Sequence, residues 1–99
     1  MLYAILSEDV PGSLPLRQQA RPGHLARLIA LQEAGRLILA GPHPALDTGE
    51  PGDAGFTGSL IVAEFPSLQA ATEWANEDPY VHAGVYQQVL VKPFKQVLP

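Results

Sequence analysis

The 99-residue chain contains no cysteine. This excludes disulfides, thiolate metal sites and a cysteine nucleophile together. Cations are also scarce. Six basic residues face ten acidic ones, Lys92 and Lys95 are the only lysines, and the net charge is −4. A phosphate backbone needs several converging cations, so nucleic acid is not an expected partner. Long apolar runs are missing too. None approaches the roughly 20 residues that span a bilayer. The apolar start from Met1 to Leu6 has no basic segment and soon meets Glu8 and Asp9, unlike a signal peptide. The expectation is a cytoplasmic protein with no membrane partner.

What the chain does have is apolar content, at 46% against only 16% charged. That is enough for a compact core and too much for disorder. The length allows one domain, residues 1–99. A domain this small keeps much of its surface exposed, so association would stabilise it.

Leu2 to Ser7 reads as a strand, with Leu2, Ala4 and Leu6 on one face and Tyr3, Ile5 and Ser7 on the other. Pro11-Gly12 ends it. Ser13 is placed to cap a short turn from Leu16 to Ala20. A main helix then runs to about Ala34, with Leu25, Leu28, Ile29 and Gln32 on its apolar face, Leu31 beside it, and Arg27 and Glu33 away from it. Pro22 is expected to break or kink this segment, and Gly35 is the natural residue past its end. Arg36 to Gly41 is a continuous apolar strand, expected to be buried on both faces and to stop at Gly41-Pro42-His43-Pro44. Asp47 to Gly55 is a loop. A third strand runs from Thr57 to Phe65, with Ser59, Ile61, Ala63 and Phe65 on one face and Gly58, Leu60, Val62 and Glu64 on the other. A second helix, capped by Ser67, ends near Glu77, because the residue before Pro79 resists helical geometry. Trp74 is assigned to the core. Asp78 to Gly84 is a tight turn or a single helical turn, and Val85 to Lys95 is the last strand, with Tyr86 sharing a face with Gln88 and Leu90.

The order β-α-β-β-α-β is the ferredoxin-like α+β motif, with both helices on one face of an antiparallel sheet. The other sheet face would be bare and apolar. A symmetric homodimer packed through that open face covers it.

His24, His43 and His82 have no compact metal-binding spacing, so no metal is expected. His24 is the best candidate for chemistry. Imidazole titrates near neutrality, and it works as a base when a carboxylate holds one ring nitrogen. Asp78, where the second helix turns back, is the best carboxylate for that role, although it could simply cap the turn at Pro79-Tyr80. Ser59 could bind a substrate carbonyl but lacks a nucleophile elbow. Arg21 could hold an anionic ligand or pair with an acid, and Tyr80 reads as a packing residue with a polar end.

These segments together resemble the YciI family of small bacterial proteins. The resemblance rests on the Met1-Leu2-Tyr3 strand, Arg21-Pro22 followed by His24-Leu25-Ala26-Arg27-Leu28, Gly35-Arg36-Leu37, Ala40-Gly41-Pro42, Gly55-Phe56-Thr57-Gly58-Ser59, Asp78-Pro79-Tyr80 and Val91-Lys92-Pro93-Phe94-Lys95. It implies a dimeric α/β barrel of ferredoxin-like protomers. It also implies an active site on His24 and Asp78, with Ser59 and the Gly41-Pro42 turn lining the pocket. One relative of the family is a dehydrochlorinase of a chlorinated hydroxyhydroquinone. The resulting expectation is a small-molecule enzyme of lyase, isomerase or hydrolase type that uses His24 and Asp78 without a cofactor. Its binding residues would be Ser59, Gly41, Pro42, Tyr80 and Arg21. The alternative is a non-catalytic, metabolite-binding dimer.

Overall fold

A computed structural model describes the whole chain, Met1–Pro99. Four strands, β1 (Leu2–Asp9), β2 (Leu37–Pro44), β3 (Phe56–Glu64) and β4 (Tyr86–Phe94), alternate with helices α1 (Leu14–Glu33), α2 (Leu68–Asn76) and the single turn α3 (Pro79–His82). The sheet is antiparallel in the order β2-β3-β1-β4. This is the ferredoxin-like α+β unit from which dimeric α/β barrels are built. A turn of 3-10 helix, Gly52–Ala54, lies inside the predicted loop.

Alternation along the central strands decides which face is covered. Tyr3, Ile5, Ser7 and Asp9 of β1 are buried, as are Ser59, Ile61 and Ala63 of β3. Leu28 and Leu31 of α1, Ala71 and Ala75 of α2, and Phe65 complete the core against them. No helix covers the opposite face, where Leu6, Leu39, Leu90 and Phe94 are each between 37% and 47% exposed.

α1 differs from its sequence expectation in two ways. It is one continuous helix starting at Leu14 and passing through Pro22, so the expected break is absent. Proline removes one helical hydrogen bond by lacking an N–H. Pro22 and Gln18, whose carbonyl loses that partner, are both exposed, so water can replace the bond. The buried face is also rotated. Arg17, His24, Leu28 and Leu31 are buried, Leu25 is half-buried, and Ile29 and Gln32 face solvent. Two polar residues belong to the inner stripe, which a search for apolar periodicity passes over. Arg27 packs inward as well, over the half-buried Trp74, which sits at the margin of the core rather than inside it. The helix ends as predicted. Gly35 has φ +71°, and the N–H groups of Gly35 and Arg36 bond to the carbonyls of Gln32 and Leu31, a complete Schellman closure.

β2 also departs from expectation. It continues through Pro42 and Pro44, and it is an exposed edge strand rather than a doubly buried one. An edge position lets proline join a strand, because one side of the strand needs no donor. The register slips at Ile38 and again beside Pro44.

A third slip shapes the site. Glu8 pairs with Gln88 but Asp9 pairs with Tyr86, leaving Gln87 as an extra residue. Such a bulge resets the alternation and re-aims a side chain. Tyr86 therefore turns to the helix side, where it meets Ser59, and not to the face of Gln88 and Leu90 as simple alternation predicts. Gly58 is needed close by. A Cβ there would run into the Ser7 carbonyl oxygen, so β3 and β1 could not approach as they do.

Candidate active site

The site forms where α1 crosses the β2–β3 end of the sheet and α3 closes against it. α1 supplies a polar stripe at helical spacing, Arg17, Arg21 and His24. Gly23 lets α1 come close to α3, since a Cβ there would lie 3.2 Å from Pro79 Cγ. That approach brings His24 to Asp78.

Asp78 is 3% exposed. Its Oδ1 and Oδ2 lie 2.9 and 2.8 Å from His24 Nδ1. Oδ1 also accepts the Tyr80 N–H at 2.8 Å, which caps α3. The two sequence readings of Asp78, cap and histidine partner, are thus both realised by one carboxylate. The His24 ring stacks on Tyr80, with centroids 3.9 Å apart and planes 10° from parallel. Arg27 Nη1 stands 4.0 Å from Asp78 Oδ2, buried and without a hydrogen bond. Its Nη2 donates to the Trp74 carbonyl at 2.7 Å. The carboxylate therefore faces two basic side chains, His24 and Arg27.

A second buried network lies beside the first. Arg17 donates from Nε to Asp9 Oδ2 at 2.6 Å and from Nη2 to Asp9 Oδ1 at 2.9 Å. Nη2 also reaches the Gly58 carbonyl and Ser59 Oγ, each at 2.9 Å. Ser13 Oγ donates to Asp9 at 2.5 Å. The guanidinium lies 5.0 to 5.9 Å from the ring centroids of Tyr80, Phe56 and Tyr86. Burial works against the Arg17 charge, but the Asp9 hydrogen bond and charge outweigh it, and the net shift of the guanidinium pKa is upward. Tyr86 donates its hydroxyl to Ser59 Oγ at 2.9 Å. Burial pushes the Tyr86 phenol up to about 12, and burial likewise raises Tyr80 against the opposing charges of Arg17 and Arg21. Both phenols remain protonated near neutrality.

A cavity of about 400 Å³ lies beside the two networks. His24, Arg21, Ser59, Gly41, Pro42 and Tyr80 all line it, so the structure brings these sequence candidates together. Asp78 stands behind His24 and does not line the wall. The sequence reading missed Arg17, Asp9 and Tyr86. The available signal for Arg17 was its position seven residues before His24, on the same helical stripe. Asp9 continues the inward series Tyr3, Ile5, Ser7 by two. The remaining wall is largely apolar, from Leu14, Leu25, Leu28, Phe56 and Ile61. His43 and His82 contribute nothing to this wall.

The YCII-related domain model matches residues 1–95. The chain belongs to the YCII-related family. It is 59% identical to Protein YciI of Escherichia coli over 97 residues, covering 98% of this chain and 99% of that one. An uncharacterized protein of Haemophilus influenzae is 55% identical over the same length and share. Among solved structures, the 5-chloro-2-hydroxyhydroquinone dehydrochlorinase TftG of Burkholderia phenoliruptrix superposes with a TM-score of 0.84 at 32% identity. That match covers 96% of this YCII-related chain and 94% of TftG, which was solved in complex with 2,5-dihydroxybenzoquinone.

The raised Tyr86 phenol gives this YCII-related protein a defined alkaline response. The unfolded phenol loses its proton near pH 10, whereas the folded one holds it to about 12. Its contribution is complete below pH 10 and is lost as pH rises from 10 to 12. Between pH 9 and 12 the native chain should lose up to about 2 kcal/mol more stability than Tyr86→Phe. Urea unfolding of both proteins at each pH measures this, and parallel losses would contradict it.

Proposed function

We propose that this YCII-related protein is an acid–base enzyme acting on a small molecule, with His24 as the proton carrier and Asp78 as its partner. One observation supports the reading most strongly. Both Asp78 oxygens engage His24 Nδ1, while Nε2 has no protein hydrogen bond and the ring lines the cavity. A carboxylate on Nδ1 fixes the tautomer that leaves Nε2 with a lone pair, and it stabilises the imidazolium formed when Nε2 takes a proton. The stacked Tyr80 ring and the short contact to α3 hold the imidazole in place without blocking that nitrogen. Ser59, Arg21, Tyr80 and the Gly41-Pro42 backbone then position the substrate against it.

The dehydrochlorinase activity named for TftG supports a reaction of the elimination class, in which a base removes a proton and a leaving group departs. Proton transfer of this kind contributes about 10²- to 10⁴-fold to a rate. The assay starts from 5-chloro-2-hydroxyhydroquinone and extends to related hydroxylated ring compounds. On a substrate that the native protein turns over, His24→Asn and Asp78→Asn should each lower kcat by at least about 10²-fold. Native-like turnover by a folded His24→Asn protein would contradict the role. A compound that binds but is never turned over would favour a metabolite-binding module.

The assembly we propose is a homodimer joined through the open sheet face. Leu6, Leu39, Leu60, Leu90 and Phe94 lie on that face, and no helix of the chain covers them. Leu60→Asp should leave the fold intact by circular dichroism but place a charge in the joint. Sedimentation should then show a dimer for the native protein and a monomer for the variant. A native monomer at micromolar concentration would contradict this arrangement.

A further inference from the structure

The chain carries a net charge of −4, yet no Asp or Glu lines the cavity. Its ionisable lining consists of Arg17, Arg21, His24 and the protonated phenol of Tyr80. From this we infer that the site takes a small monoanion, a planar body bearing a carboxylate, enolate or phenolate oxygen, bound through Ser59, Arg17 and Arg21. The inference rests on the site assigned above and adds its ligand class.

The hydrogen bonds at Ser59 fix the polarity of the ligand atom that can sit beside it. Its oxygen accepts from Arg17 Nη2 and from Tyr86 Oη, both at 2.9 Å. A hydroxyl has two acceptor positions and one hydrogen. Both acceptor positions are therefore filled, and the hydrogen has no protein acceptor. The phenol is the stronger acid of the pair, so Tyr86 is the donor and the spare hydrogen stays on Ser59. Of the two residues, Ser59 is the one on the cavity wall. A ligand atom at Ser59 must accept.

Arg17 adds a second donor at the same place. Its Nε and Nη2 are committed to Asp9, Gly58 and Ser59, whereas Nη1 makes no hydrogen bond. Asp9 balances the Arg17 charge, so Arg17 contributes a rigid donor more than a net charge. Arg21 supplies the charge. It is exposed, forms no ion pair, and stands one helical turn along from Arg17 and three residues before His24. An anionic oxygen bound by this group lies at one end of the stripe, with His24 at the other. The apolar wall and the roughly 10 Å rise over seven helical residues suit a ring-sized body between them. Ionised acceptors make hydrogen bonds about twice as strong as neutral ones, which favours the anion over its neutral isostere.

The test uses benzoate, benzamide and benzylammonium, titrated into the isotope-labelled native protein and followed by NMR. Benzoate should bind at least about tenfold more tightly than benzamide, and benzylammonium should bind least. Arg21→Met should weaken benzoate at least about fivefold and leave benzamide unchanged, and Ser59→Ala should weaken benzoate by at least as much. Arg17→Lys keeps a cation for Asp9 but removes the guanidinium fork, and it should weaken benzoate too. Equal affinity for benzoate and benzamide would overturn the inference. So would benzoate binding unaffected by Arg21→Met and Ser59→Ala, or no benzoate binding up to about 50 mM. None of these readings depends on turnover. Selective benzoate binding together with a fully active His24→Asn protein would uphold the anion site and remove the acid–base reading. The reverse pair of results would do the opposite.

Discussion

The Asp78 carboxylate ties the fold to the site. It is buried at the start of α3, where it caps the Tyr80 N–H and holds both oxygens against His24 Nδ1. A buried carboxylate is stable only when its acceptor positions are used. Here one partner comes from its own turn and the other from α1, 54 residues earlier in the chain. Removing the carboxylate would uncap α3 and free the imidazole at once. Arg27 adds a positive charge at 4.0 Å, and the glycine at 23 permits the close approach on which the contact depends. The same few atoms therefore set the position of a turn, the spacing of two helices and the placement of a histidine ring.

The Asp9–Arg17 pair plays the parallel role on the sheet side. Both side chains are nearly sealed from water, at 1% and 7% exposure. Burying such a pair is costly unless the remaining donors and acceptors are satisfied. Ser13, Gly58 and Ser59 supply those partners, and the pair in turn holds Ser59 with its acceptor positions filled. The bulge at Gln87 is part of this device, since without it Tyr86 would face the bare side of the sheet. A polar network of this kind fixes geometry more than it adds stability.

Much of this was legible in the chain. The element order, the faces of the two central strands, the Ser67 and Gly35 caps and the bare sheet face all follow from periodicity and turn chemistry. The candidates His24, Asp78 and Ser59 do meet at one site. What escaped has physical causes. Proline usually interrupts a helix, but Pro22 lies on the exposed side of α1, where the unpaired carbonyl is open to water. An apolar strand usually means two buried faces, but β2 is an edge whose cover is not within the chain. Arg17 and Asp9 are charged residues on buried stripes, and charge normally argues for the surface. Their burial makes sense only with each other, and pairing between residues on separate elements leaves no local pattern. Strict alternation placed Tyr86 wrongly because the extra residue Gln87 reverses the alternation between Gln88 and Tyr86.

The proposed proton transfer depends on His24 being held as the Nδ1–H tautomer, with Nε2 left free at the cavity. Long-range proton–nitrogen NMR on the neutral imidazole reports this directly, because the two ring nitrogens differ in shift according to which one carries the proton. The expected result is a protonated Nδ1 and an unprotonated Nε2 in the native protein, with that preference lost in Asp78→Ala. A protonated Nε2 in the native protein, or a tautomer unchanged by removal of the Asp78 carboxylate, would rule out the role proposed for the pair.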